Sequence, residues 1–166
     1  SKKMTATGSS NVTFGQPGRN VVQYNLNGIA LNGGANTVTN TDVSGNTFDG
    51  IKIGGGTQSI GTSRVLGSNS NAVFGNGNWG VNMITPAVPT QQVIQATYFG
   101  GPVKATAGNA NALGNVAVNG ALAPASLGFN PVIAANAVTA TDGFGNQYVR
   151  PTGKVGNTNI KQPWRP

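Results

Sequence analysis

Two of the chain's three carboxylates stand close enough in sequence to be considered as a catalytic pair. They are Asp42 and Asp49; the third is Asp142, and the chain has no glutamate. Glycoside hydrolysis uses two carboxyl groups flanking one bond, about 5 Å apart for retention and roughly 6.5–9.5 Å for inversion. Asp42 and Asp49 are therefore the candidate catalytic residues. The structural alternative is that Asp42 forms an exposed ion pair with Arg64 further along the chain, while Asp49 belongs to a turn.

A polysaccharide lyase would use a different pair of groups, a base and a cation. The base removes the proton next to a uronate carboxylate, and the cation neutralises that carboxylate. Tyr148 with Arg150, or Lys52 with Arg64, provides the required residue types. Because such pairs arise readily by chance, a lyase or hydrolase stays an alternative to a binding protein.

Carbohydrate binding needs an aromatic ring against the C–H face of a sugar, with polar side chains for its hydroxyl groups. Trp79 is the candidate ring, and Tyr98, Lys52 and Arg64 are the other candidate carbohydrate-binding residues. If Val81 points into a core, Trp79 should point outward, opposite Asp49. The alternative is that Trp79 covers a loop or a subunit contact.

Composition limits the chemistry and the partners. The chain has no Cys and no His, so it lacks the usual metal ligands, and we expect no metal and no cofactor. The net charge of +7 favours an anionic partner, but the basic residues are scattered singly, which makes nucleic acid unlikely. No apolar run approaches the length of a membrane span.

The elements that must position these residues are indicated by a repeat in which position i resembles position i+22. Apolar residues recur at this spacing and glycines fall on glycines, as in Ile29/Ile51, Leu31/Ile53, Val38/Ile60, Gly28/Gly50 and Val21/Val43/Val65. Each unit alternates apolar and small residues, the pattern of a strand with one face inward. Short strands turned by Gly and Asn predict a parallel β-solenoid, whose units are stable only when stacked. Asn25, Asn40 and Asn46 are candidates for a ladder of amides at a corner.

Two registers are open for the third unit. Strict 22-residue spacing puts Val73 beside Ile51, whereas Trp79–Met83 also resembles residues 49–53 at a spacing of 30 and implies an eight-residue loop at 68–76. We divide the chain into a tail and first strand (1–19), the solenoid coils (20–101) and a C-terminal cap or oligomerisation segment with an extended tail (102–166). Trp164 is expected to anchor that tail.

The stretch VSGNTFDGIKI at 43–53, and likewise residues 29–46, resembles the coils of right-handed parallel β-helix proteins of the pectate-lyase-like superfamily. The resemblance covers roughly residues 20–100 and implies an all-β right-handed solenoid. Members of that superfamily include polysaccharide lyases and hydrolases, bacterial adhesins, and bacteriophage tailspikes that bind surface polysaccharide. It implies little about activity.

We therefore expect a carbohydrate-recognising or structural piece of an extracellular polysaccharide-binding protein, first of all a phage tailspike or tail fibre. A lyase or glycoside hydrolase with its site on the β-helix is the alternative, and a bacterial surface adhesin is the second alternative. The expected partners are a surface polysaccharide, anionic in one version, and further copies of the chain in a homotrimer. The expected location is extracellular or on the virion.

Overall fold

The computed structural model describes residues 4–7, 13–14, 18–103 and 108–156. Trp164 and the rest of the predicted tail lie outside these residues. The described residues are all-β: they contain no α-helix, and short 3₁₀ turns occur at Pro89–Gln91 and Ala125–Leu127. No helix among them is long and apolar enough to cross a membrane.

Short strands account for the regular structure of the described residues. In chain order they are β1 Met4–Ala6, β2 Thr13–Phe14, β3 Asn20–Gln23, β4 Ile29–Asn32, β5 Thr37–Val38, β6 Thr41–Ser44, β7 Ile51–Gly55, β8 Ser59–Ile60, β9 Ala72–Phe74, β10 Trp79–Met83, β11 Val93–Ile94, β12 Tyr98–Phe99, β13 Gly108–Ala110, β14 Gly114–Val118, β15 Ala121–Leu122, β16 Thr139–Thr141, β17 Gln147–Val149 and β18 Pro151–Val155.

The chain visits three sheets in rotation. Sheet 1 has the order β1-β4-β7-β10-β14-β15, sheet 2 has β2-β5-β8-β11, and sheet 3 has β3-β6-β9-β12-β17-β16. All pairings in these sheets are parallel except β14 with β15 and β16 with β17. A fourth, two-stranded sheet joins β13 to β18. Parallel sheets stacked in register in this way are consistent with a β-helix, as the repeat predicts.

The observed register decides between the two sequence alternatives. The pairings Ile29 with Ile51, Leu31 with Ile53 and Val38 with Ile60, which the repeat predicts, are confirmed. In the third coil Val81 pairs with Ile51, so the longer of the two spacings holds. The extra residues that this spacing implies lie in the connection 61–71 between β8 and β9, ahead of the predicted position. In the preceding coil, the equivalent connection between β5 and β6 consists only of Thr39 and Asn40.

One predicted column is wrong. Val22, not Val21, pairs with Val43, and Val43 then pairs with Val73. Val21 and Val65 are 55% and 78% exposed, because Val21 lies on the outward face of β3 and Val65 lies in the 61–71 connection. A shift of one residue sends a strand's side chains to the opposite face. Between β3 and β6 the repeat is one position shorter than it is between β4 and β7 or between β5 and β8.

Inward side chains form vertical columns that fill the interior. They are Ile29, Ile51, Val81 and Val116 in sheet 1, Val38, Ile60 and Ile94 in sheet 2, and Val22, Val43, Val73, Phe99 and Tyr148 in sheet 3, each at most 1% exposed. The rings of Phe99 and Tyr148 stack with centroids 5.2 Å apart. Burial of these apolar residues against the coils above and below is what a single coil could not achieve.

Buried amides stack at the corners. Asn46 Nδ2 donates to Asn76 Oδ1 at 2.9 Å, and Asn76 Nδ2 donates to Asn111 Oδ1 at 2.8 Å. Asn25 joins this ladder by donating its backbone N–H to Asn46 Oδ1 at 3.1 Å, so the prediction is confirmed for Asn25 and Asn46. Asn40 is not a rung of this ladder. It adopts a left-handed conformation with φ 49°, and its Oδ1 accepts from Arg19.

Candidate functional site

Asp42 is held by an arginine of the preceding coil. Arg19 Nε donates to Asp42 Oδ2 at 2.9 Å, and its Nη2 pairs with Asp42 Oδ1. The predicted ion pair between Asp42 and Arg64 is therefore wrong. The register explains this, because the strand position above Asp42 is Ala72 and not residue 64.

The same guanidinium also fastens the 61–71 connection, which we call the insertion loop. Arg19 Nη1 donates to the carbonyl oxygens of Ser70 and Ser68 at 3.1 and 3.4 Å. One side chain therefore joins the first coil to a loop of the third. Acceptors on two separate segments fix the fork of an arginine more firmly than one exposed ion pair.

Arg64 holds the far side of the insertion loop. Its Nη1 donates to the Gly143 carbonyl at 3.3 Å, and its guanidinium carbon lies 5.5 Å from the centroid of the Phe144 ring. A side chain at Gly145 would come within 1.9 Å of the Arg64 carbonyl oxygen, so the two segments touch there. The insertion loop is thus fixed on one side by Arg19, which directly precedes β3, and on the other side to the turn between β16 and β17.

A groove of about 380 Å³ lies along the insertion loop. Polar and small side chains line most of it: Gly61, Thr62, Ser63, Val65, Leu66, Gly67, Ser68, Asn69, Ser70 and Ala96. Thr62 and Asn69 are exposed, and their side chains form no hydrogen bond with the described residues. Hydroxyl and amide groups presented on a fixed loop suit a neutral, hydroxyl-rich ligand.

Asp49 lies elsewhere, at the corner that leads into β7, and is only 5% exposed. Its Oδ1 accepts from the Trp79 backbone N–H at 3.3 Å, and its Oδ2 accepts from Asn82 Nδ2 at 3.0 Å. Asp42 and Asp49 stand on either side of the Asn46 corner, on sheet 3 and at the start of a sheet 1 strand. The structure gives each carboxylate its own partners, Arg19 for Asp42 and the Trp79 N–H and Asn82 for Asp49.

The predicted carbohydrate-binding residues are distributed over the surface and the interior. Trp79 is 7% exposed, and its ring lies 2.8 Å from where a side chain at Gly114 would begin. Tyr98 is 4% exposed and lies on sheet 3 between Ala72 and Gln147, whereas Lys52 is half-buried on sheet 1. Tyr98 and Lys52 therefore do not share a wall.

Tyr148 and Arg150, one of the two pairs in the lyase alternative, also have structural partners. The Tyr148 hydroxyl donates to Asp142 Oδ2 at 2.8 Å, and Arg150 donates to the carbonyls of Ala137 and Ile133 at 2.9 and 3.2 Å and to that of Ala134. Burial, and then the charge of Asp142, raises the pKa of Tyr148 far above its ordinary value. A hydroxyl in this state is protonated at neutral pH and is poorly suited to remove a proton from a substrate.

Sequence reasoning missed Arg19 and the groove of the insertion loop. The signal that could have found them was the 30-residue register, since it requires extra chain in the third coil and the stretch 61–70 is rich in Gly, Ser and Thr. Within the described residues, no three acidic side chains cluster as a metal site would require.

No protein-family model, curated protein or solved structure matches this chain. The class is therefore defined by its own fold, an all-β protein whose parallel sheets stack in register around an apolar interior. In this chain the insertion loop carries an accessible groove lined mostly by polar and small residues.

Proposed function

We propose that this chain is a carbohydrate-recognising piece of an extracellular polysaccharide-binding protein, and that a sugar unit binds in the groove of the insertion loop. The observation that carries the proposal is the loop itself. It is polar and exposed, yet fixed by Arg19 at one side and Arg64 at the other. A loop held in place before binding loses little conformational entropy when a ligand arrives.

The proposal also specifies the type of fold and the kind of parent protein. The stacked sheets form a right-handed parallel β-helix of the pectate-lyase-like type, and the parent protein is a phage tailspike or tail fibre in preference to a secreted bacterial protein. The proposal takes residues 102–166 as a cap or oligomerisation segment and the assembly as a homotrimer at the virion or cell surface. Sedimentation of the purified chain tests the trimer, since a monomer at micromolar concentration would contradict it.

Binding is tested with the folded chain against purified capsular polysaccharides and lipopolysaccharide glycans, measured by calorimetry. Asn69→Ala removes an amide that faces the groove and should weaken binding about fivefold, the effect of one hydrogen bond of about 1 kcal/mol. Asn136→Ala, at an exposed position outside the groove, is the matched control and should bind like the wild type.

The outcomes separate the classes of function. Binding that Asn69→Ala leaves unchanged would remove the groove from the proposal, and no binding to any surface glycan would contradict glycan recognition. Shortening of the glycan during the assay would favour the enzyme alternative. In that case Asp42→Asn and Asp49→Asn show whether either carboxylate takes part. Trp79→Ala is not a clean binding test, because the buried ring packs against Gly114 and its loss would disturb the fold.

A further inference from the structure

Three side chains capable of one covalent reaction stand at neighbouring positions on the outward face of sheet 1. Lys52 of β7 and Asn82 of β10 are direct partners in the parallel ladder, so their Cα atoms are about 4.8 Å apart. Both lie at outward positions, since the residues on either side of each point into the core. Asp49, which precedes Lys52 at the corner before β7, contacts Asn82 directly.

The carboxamide of Asn82 is held at both of its ends. Its Nδ2 donates to Asp49 Oδ2 at 3.0 Å, and its Oδ1 accepts from the Gly120 backbone N–H at 3.2 Å. A backbone N–H on the carbonyl oxygen stabilises negative charge that develops there when a nucleophile adds to Cγ. A carboxylate on the amide nitrogen is placed to deliver a proton to that nitrogen as it leaves.

The site is dry and the carboxylate is fixed. Asp49 and Asn82 are 5% and 7% exposed, and Asp49 Oδ1 accepts from the Trp79 backbone N–H. Few water molecules can therefore compete with a side-chain nucleophile at Cγ of Asn82. Within the described residues, Asp49 has no basic side chain within ion-pair distance.

Lys52 supplies the nucleophile for this arrangement. It is half-buried, and its amine forms no hydrogen bond or ion pair with the described residues. Its four-carbon stem is long enough to carry Nζ across one strand spacing to the neighbouring Cγ. The stem thus brings the amine within reach of the carboxamide, and closeness of the reacting groups is the main requirement of an intramolecular reaction.

We infer that Lys52 and Asn82 form an isopeptide bond once the coils have stacked, with Asp49 as the proton carrier. Asp49 takes a proton from the Lys52 ammonium group, and the neutral amine adds to Cγ of Asn82, forming the new C–N bond. The oxyanion is stabilised by the Gly120 N–H. Asp49 then gives its proton to the amide nitrogen, the old C–N bond breaks, and ammonia leaves. The attacking nitrogen gives up its remaining extra proton through Asp49 to that ammonia, so the products are a neutral amide and an ammonium ion. No oxidant or cofactor is needed, and the product covalently joins two neighbouring coils.

The test is the mass of the intact, denatured protein. The wild type should be lighter than its sequence by one ammonia, and proteolysis should give a branched peptide that joins the segments around residues 52 and 82. Lys52→Arg keeps the charge but lacks the primary amine, so it should have the full mass. Asp49→Asn and Asn82→Ala should also have the full mass.

Lys52→Arg is the decisive variant because it faces outward and should fold, which circular dichroism checks. Loss of ammonia by cyclisation at an Asn-Gly sequence such as Asn76-Gly77 would persist in this variant and yields no branched peptide. A folded wild type with its full mass overturns the inference, and so does a mass deficit that Lys52→Arg retains. Glycan binding does not enter either result.

Discussion

Gly77→Ala tests the register on which the stack depends. A Cβ at this position would lie 2.0 Å from the Thr47 carbonyl oxygen, well inside the 3.4 Å at which ordinary van der Waals contact begins. Gly77 does not have the positive φ that alanine would resist, so the cost of the change is steric. The obstacle is backbone and cannot rotate away.

The size of the destabilisation follows from the contacts that must change to make room for the methyl group. To accept the methyl group the two coils must separate locally, which stretches the 2.8 Å hydrogen bond from Gly77 N–H to the Asn46 carbonyl. Overpacking costs about 1–3 kcal/mol and loss of the hydrogen bond about 1 kcal/mol, so the free energy of unfolding should fall by about 2–4 kcal/mol. For a chain of this size that corresponds to a fall in Tm of roughly 5–15 °C.

Gly67→Ala is the matched control. Gly67 also lies outside the left-handed region, and nothing stands within 4 Å of its ideal Cβ. Its substitution should leave the free energy of unfolding within about 0.5 kcal/mol of the wild type or raise it slightly. Denaturant unfolding followed by circular dichroism measures both variants. Equal midpoints for Gly77→Ala and Gly67→Ala would show that residue 77 does not lie against Thr47, and the 30-residue register would then be wrong.

Two further changes test the corner ladder and the buried tyrosine. Asn76→Ala removes the Oδ1 that accepts from both the Nδ2 and the backbone N–H of the buried Asn46 and should cost about 2–4 kcal/mol in denaturant unfolding, whereas a cost below about 1 kcal/mol would contradict a dry ladder. Folding raises the pKa of Tyr148, so the protonated hydroxyl stabilises the folded state. This stabilisation is complete at pH values below the pKa of the unfolded chain and is lost as the pH rises above about 10. Tyr148→Phe should therefore flatten the alkaline fall in stability; a variant whose stability falls as steeply as the wild type's would contradict this.

The predictable part of the fold is the part in which neighbouring coils have equal length. The repeat pairs Ile29 with Ile51 and Leu31 with Ile53 correctly, because the coil between them contains no insertion and inward and outward residues alternate strictly in both strands. Val21 was misassigned because Val21 and Val22 are both apolar, so a one-residue change of spacing in sheet 3 leaves no mark in the composition.

The site could be predicted only in part because its contacts join coils of unequal length. Asp49 reaches Asn82 only in the longer register, and the Gly120 N–H reaches Asn82 through a turn that no repeat specifies. Arg19 meets Ser68 and Ser70 across three coils for the same reason. Residue types and spacing indicated Asp49, Lys52 and Trp79 as noteworthy, but the partners that decide their chemistry come from insertions.

The distribution of charge bears on which glycan the groove could take. Residues 18–103 and 108–150 contain four basic residues, Arg19, Lys52, Arg64 and Arg150, against three aspartates, a net charge of +1. The three arginines already donate to backbone carbonyls. The stack therefore has little charge to offer an anionic sugar, and most of the +7 comes from basic residues outside those ranges.

We accordingly expect the groove to bind a neutral glycan. Its affinity should change less than about twofold between low and high salt, because screening acts on charge pairs and not on neutral hydrogen bonds. An affinity that falls steeply with salt would assign the binding to the basic residues outside those ranges instead of the groove.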